Sequence, residues 1–197
     1  MKLGKENVDR IFKALDRQIE IHGGKPVSLV VIGGTTLVVQ EVTSRTTRDV
    51  DILGEAIEKE GRVEIRKMEE IPEFLKKAAA VVQRDFNLPE NWLNTGPASQ
   101  IDLGLPPGFE SRLVRKKYGD YLTVYFASRI DLIHFKLFAA VDRGGYHVED
   151  LKLLNPSEEE MEQAARWVLT QDVSPEFREI LKQCLKELGY GKVTERI

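Results

Sequence analysis

The chain has 197 residues, 42% hydrophobic, 31% charged and 8% aromatic, a composition that excludes a disordered tail, a collagen-like rod and a cystine-stapled miniprotein. At roughly 150 residues per domain the length implies a little over one domain, and such a chain buries about 70% of its unfolded surface without disulfides or a structural metal. Its 29 Lys and Arg against 32 Asp and Glu leave a net charge of -3, which argues against a protein that coats nucleic acid by bulk charge.

In chain order, Val8, Ile11, Phe12, Leu15 and Ile19 recur at helical spacing over residues 6–22, and Gly23-Gly24 stops that helix. The β-branched run Val27 to Ile32 predicts a strand buried on both faces. It ends at Gly33-Gly34, after which Thr35 to Val42 reads as a short helix, Thr43 to Thr47 as a turn and Asp49 to Leu53 as a strand. Residues 67–84 form an amphipathic helix. From Ser99 to Leu105 apolar and polar residues alternate, the period of a half-buried strand. Tyr121 to Phe126 is the next strand candidate, and Ser128 opens a helix over Arg129 to Arg143. Gly144-Gly145 precedes a helical turn around Val148 to Leu153, and two helices follow from Ser157, the second with Ser174 as N-cap and Pro175 at its first position. The expected architecture is a mixed α/β (α+β) sheet flanked by helices over residues 1–155, with a C-terminal helical region over 156–197 packed on it.

A single cysteine, Cys184, has no partner for a disulfide or a thiolate metal site, which fits a reducing, cytoplasmic setting. The longest uncharged run, Pro26 to Gln40, is shorter than the roughly 20 residues a membrane span needs. The first ten residues carry no apolar core of an export signal.

The segment VVIGGTTLVVQEVTSRTTRDVDIL, residues 30–53, joins a strand, a glycine turn entering a helix, a basic turn and a strand with two aspartates. On a strand Asp49 and Asp51 share a face, so their carboxylates converge as a Mg²⁺ (or Mn²⁺) site requires, with Arg45 and Arg48 at hand to offset the like charges. The turn Gly33-Gly34 lets a phosphate approach the backbone at a helix start, and Thr35 or Thr36 could add a hydroxyl. The plainer alternative is a tight turn beside a surface ion pair of Asp49 with Arg45 or Arg48. Neither the Gly-x-Gly-x-x-Gly of a dinucleotide fold nor the Gly-Lys-Ser/Thr of a P-loop is present. A phosphatase built on an Asp nucleophile carries two aspartates at this spacing too, but usually with a Thr following them, where this chain has Leu53.

Downstream, Arg129, Lys136 and Arg143 are seven apart and fall on one line of their helix. A lysine within IDLIHFKLFAAV is either a snorkelling surface residue or a phosphate ligand. His147 and Asp150 could form a local cap. Arg112, Arg115, Lys116 and Lys117 beside Tyr118 read either as a solvated loop or as a groove for an RNA backbone.

The runs GGTTL and RTTRDVDIL, with a lysine helix followed by EDL, resemble the nucleotidyltransferase-fold proteins of the AbiEii toxin type and their uncharacterised bacterial relatives. NWLNTGPASQIDLGLPPGFESRL and LTVYFASRIDLIHFKLFAAVDRG extend the resemblance over most of residues 27–188. It implies a nucleotidyltransferase-like fold and transfer of a nucleotidyl group from an NTP to an acceptor hydroxyl. Lys136, with Arg45, Arg48 and Arg143, becomes a triphosphate contact, and Asp150 a site carboxylate. A third carboxylate of two-metal chemistry is expected on a neighbouring strand, and Asp102 is the candidate. Toxin members act on tRNA, so an RNA acceptor is the leading expectation, with an antitoxin as partner if the chain is a toxin. The rival is a non-catalytic module of the same fold that binds nucleotide or a protein.

Overall fold

The computed structural model describes residues 3–197, which divide into two compact units, one ending at Ser128 and the other spanning Arg129–Ile197. The first holds a mixed sheet. Helix α1 (Lys5–Ile21) leads into strand β1 (Val27–Ile32), whose end passes directly into α2 (Gly33–Val39). Strands β2 (Val50–Lys59) and β3 (Arg62–Lys67) form a hairpin, followed by α3 (Glu73–Phe86), the short β4 (Leu93–Asn94), a helical turn α4 (Gln100–Leu103), β5 (Val114–Lys117) and β6 (Leu122–Phe126). The strand order is β3-β2-β1-β6-β5, and β4 pairs with β2 beside its first residues.

Strand β1 is central, antiparallel to β2 and parallel to β6, which is why a continuous apolar run suits it. On one face of the sheet, α1 contributes Val8, Ile11, Phe12, Leu15 and Ile19 and α3 contributes Leu75, Ala78 and Val82 to a core with Leu29, Val31, Ile52 and Val124. Leu53 is an extra residue between the pairs Val30↔Gly54 and Val31↔Ile52. This bulge lets Ile52 and Leu53 both be buried while the start of β2 stays in register with the end of β1.

The strand expected over Ser99–Leu105 is instead a 3₁₀ turn, Gly96–Ser99, running into α4. Its alternation arises because Ile101 packs over Gly54 of β2 while Leu103 is exposed; Gly104 ends the turn at φ 93°. The hairpin strand β3 alternates exposed and half-buried positions with few apolar residues, so its pattern carried little signal. The C-terminal unit contains α5 (Arg129–Arg143), α6 (Tyr146–Leu154), α7 (Glu158–Gln171) and α8 (Pro175–Glu187). Its boundary falls at Arg129 rather than near 155, because α5 packs against α6, α7 and α8. No helix among the described residues is long and apolar enough to cross a membrane.

Capping follows the sequence closely here. Ser174 accepts from the Phe177 N–H, and Ser157 and Glu160 form a reciprocal box at the start of α7. Glu160 also receives Arg129, whose guanidinium donates to the carbonyls of Leu154 and Asn155 at the C-terminal end of α6. The hydrogen bond from Arg129 is the main reason the Glu160 carboxyl is held below its ordinary value of 4.5, with burial opposing it. A depressed carboxyl stabilises the fold above its unfolded value and loses that contribution as pH falls through the folded one. Glu160→Gln should therefore cost about 1 kcal/mol near neutral pH, or about 2–4 °C in thermal midpoint for a chain of this size. Calorimetry should show the gap closing well below pH 4.5; a gap that persists there contradicts the assignment.

Candidate functional site

Position 33 joins β1 to α2 with φ +75°, a conformation natural to glycine. A Cβ built there would lie 2.3 Å from Oδ2 of Asp51, so the carboxylate occupies the space that a side chain would take. Gly34 is crowded in the same way, by Thr47 Oγ1 at 2.7 Å. The Thr47 hydroxyl donates to Asp49 Oδ1 at 3.2 Å, and Thr47 is pinned through its backbone to Leu3 by two hydrogen bonds of 2.9 Å. The glycine turn thus borders Asp51 directly and Asp49 through Thr47. Asp51 lies in β2, whereas Asp49 lies one residue before its first member, so the strand expected from Asp49 begins at Val50.

The two threonines after the glycines are buried. Thr35 Oγ1 donates to the Asp49 carbonyl at 2.7 Å and Thr36 Oγ1 to the Val31 carbonyl at 3.0 Å. Their hydroxyls clamp the aspartate loop and the strand end onto α2, which corrects the expectation that either one reaches for a phosphate. Arg45 and Arg48 are exposed on the loop before β2.

Asp102 departs most from expectation. It stands on α4, not on a strand, 58% exposed, and accepts a hydrogen bond from Lys67 Nζ at 2.5 Å. That bond is the main cause of the raised Lys67 pKa. Lys67 pairs with Gly54, three residues along β2 from Asp51, about 10 Å at strand spacing. The residue across the ladder from Asp51 is Asn94, which sequence reading missed. A two-residue strand has no periodicity to detect, and the only signal was its place after the buried Trp92.

The donor chemistry fits one cation. Mg²⁺ is commonly held by one or two carboxylates with its remaining positions filled by substrate phosphates and water, and Asp49 and Asp51 would be those carboxylates, next to a turn too tight for a Cβ. Among the described residues no group of three or more His, Cys, Asp and Glu side chains is placed to hold a metal ion.

In the C-terminal unit, Lys136 and Asp150 are joined by a 2.7 Å ion pair, with side chains 5% and 1% exposed. Lys136 Nζ also lies 5.7 Å from the centre of the Tyr146 ring. Of the three cations seven apart on α5, Arg129 holds the end of α6, Lys136 is buried and exposed Arg143 pairs with Asp142 at 3.2 Å. His147 is buried against the ring of Tyr146 at 4.1 Å between centroids. The basic cluster is likewise engaged: Lys116 with Asp9, Lys117 with Asp120, Arg115 with Glu58 and Arg112 with the Pro107 carbonyl. Asp9 is held below the usual carboxylate range despite its burial, because Lys116 and Tyr118 donate to it. Carboxylates thus lie beside Arg115, Lys116 and Lys117, whereas the Pro107 carbonyl that Arg112 meets is neutral.

Two stability measurements probe these contacts. Gly33→Ala should cost about 1–3 kcal/mol in urea unfolding, and Asp51→Ala in the same chain should recover the part due to the side-chain collision, leaving the φ strain. Strictly additive losses would mean the two positions do not touch. Lys136→Met should cost about 3–5 kcal/mol by taking the ammonium away from the buried Asp150 carboxylate, while Lys136→Met with Asp150→Leu should restore most of it. A double variant as unstable as the single one would contradict that account.

The sheet, the glycine turn and the aspartates it borders all lie within the stretch of chain, residues 9–165, that matches a family described as a nucleotidyltransferase of unknown function (DUF6036). No curated protein and no solved structure matches the chain. The family match spans well over half of the 197 residues, and the chain belongs to this nucleotidyltransferase family.

Proposed function

We propose that the protein transfers a nucleotidyl group from an NTP to an acceptor hydroxyl, with Mg²⁺ or Mn²⁺ as cofactor and an RNA end, tRNA first, as acceptor. The observation that carries this reading is the seat of Asp51 against Gly33, which fixes a carboxylate at the turn from β1 into α2, within the stretch that matches the nucleotidyltransferase family. In the proposed reaction the acceptor oxygen bonds the α-phosphorus, the bond to the β-phosphate oxygen breaks, pyrophosphate leaves, and the hydroxyl proton passes to water. A divalent ion, when bound, neutralises the phosphate charge that builds up in this step. Asp49 and Asp51 would hold it, and Arg45 and Arg48 would draw the phosphates in; the space over Gly33 and Gly34 is taken by Asp51 and Thr47 and is not assigned to the triphosphate. This assignment uses residues of the first unit alone.

A second reading has an observation of its own. Asp102 is bound to Lys67, and an amide, Asn94, faces Asp51, which favours a nucleotide-binding module that performs no chemistry or that acts by engaging an antitoxin-like partner.

The two readings separate on incubation with each α-labelled NTP, Mg²⁺ or Mn²⁺ and total RNA. Transfer predicts label in RNA from the wild type and a loss of about 100-fold or more for Asp51→Asn. NTP binding with no label in RNA or protein under any nucleotide selects the module.

A further inference from the structure

The first residues of β2 are flanked by two strands. Asp51 pairs with Ile32 of β1 on one side and with Asn94 of β4 on the other. Residues directly opposite on neighbouring strands present their side chains to the same face. Asn94 therefore holds the place from which a side chain on the neighbouring strand can reach a cation at Asp51.

Its side chain is fixed at both ends. The Gly96 N–H donates to Asn94 Oδ1 at 2.9 Å. A backbone N–H can only donate, so the atom facing it is the amide oxygen and the NH₂ must face the other way. That NH₂ donates to Asp51 Oδ1 at 3.3 Å and to the Val50 carbonyl at 3.4 Å. Asn94 thus binds the carboxylate and does not offer its oxygen to a metal. Asp51 Oδ1 is turned to the amide, and Oδ2 is turned to the Gly33 turn.

We infer that Asn94 is a positioning residue that sets this site to a single divalent ion: it aims Asp51 Oδ2 at the glycine turn and withholds the third carboxylate that a second ion would need. This rests on the nucleotidyl-transfer reading above. Two ions about 3.5–4 Å apart require carboxylates that bridge and flank them, and one neutral donor beside two acids does not meet that need. The single ion completes its shell with oxygens of the triphosphate and water.

Paramagnetic titration with Mn²⁺, in the presence of a non-hydrolysable NTP analogue, counts the ions and tests the role of the amide without reference to turnover. The wild type should bind one Mn²⁺ per chain. Asn94→Asp should admit a second ion or tighten the first about tenfold. Asn94→Ala, which removes the donor and adds no charge, should weaken the first ion by about tenfold, the usual effect of losing a partner that orients a metal ligand. Circular dichroism establishes that each variant is folded, and if Asn94→Asp does not fold, the count in the wild type and the loss in Asn94→Ala decide. Two ions in the wild type, or unchanged affinity in Asn94→Ala, overturn the inference while leaving nucleotidyl transfer standing. A wild type that binds neither Mn²⁺ nor the analogue overturns both.

Discussion

A Cβ at position 33 would lie 2.3 Å from Asp51 Oδ2, and the same residue turns the chain with φ +75°. Both facts require glycine, one for space and the other for backbone freedom. With the side chain absent, the end of β1 runs straight into α2 while the start of β2 comes close enough for its carboxylate to sit on the turn. The surrounding bonds serve this approach. Thr35 ties α2 to the Asp49 carbonyl, Thr36 ties it back to Val31, and Thr47 joins the second glycine to Asp49. The bulge at Leu53 then absorbs the mismatch between a β2 start fixed by this contact and the hairpin that follows.

Much of this was legible in the sequence because it is local. The run Val27 to Ile32, the double glycine and the strand that carries Asp51 lie within about one supersecondary unit, where spacing alone marks the elements. The helix cap at Ser174 was readable for the same reason, since an N-cap acts within three residues. Alternation misled at Ser99–Leu105, where Ile101 is drawn inward by the bare backbone of Gly54, a contact between residues far apart in sequence. Asn94 was invisible on the same principle: its meaning comes wholly from pairing with Asp51, 43 residues away.

Charge was the least legible property. Lys116 meets Asp9 across 107 residues, Lys67 meets Asp102 across 35, and Lys136 meets Asp150 across 14. A run of basic residues reads as an attractive field only if its counter-charges are elsewhere, and folding here brings them alongside. The buried Lys136 pair is the extreme case. Two charges removed from water are tolerable only together, so an amphipathic-looking helix can carry a lysine toward the interior if the next helix carries its aspartate. Sequence spacing showed that a lysine was out of place on an apolar face, and only the fold shows what holds it.

The same accounting bears on Asp51. Carboxylates gathered at one point repel each other, and the repulsion must be offset by cations or by hydrogen-bond donors. A neutral amide in the position facing Asp51 gives its carboxylate a donor without bringing a charge of its own, and the Gly96 N–H keeps that amide turned the right way. A third carboxylate there would make the strand start dependent on bound cations for its stability. With Asn94 the chain holds its two aspartates in place by hydrogen bonds from Thr47 and Asn94, so the geometry stands before any ligand arrives. Occupancy by the proposed divalent ion would then depend on oxygens brought by the nucleotide, because two carboxylates fill only part of a six-ligand shell. In the proposed reaction, binding of the ion and of the triphosphate would be a single linked event, in which each supplies what the other lacks.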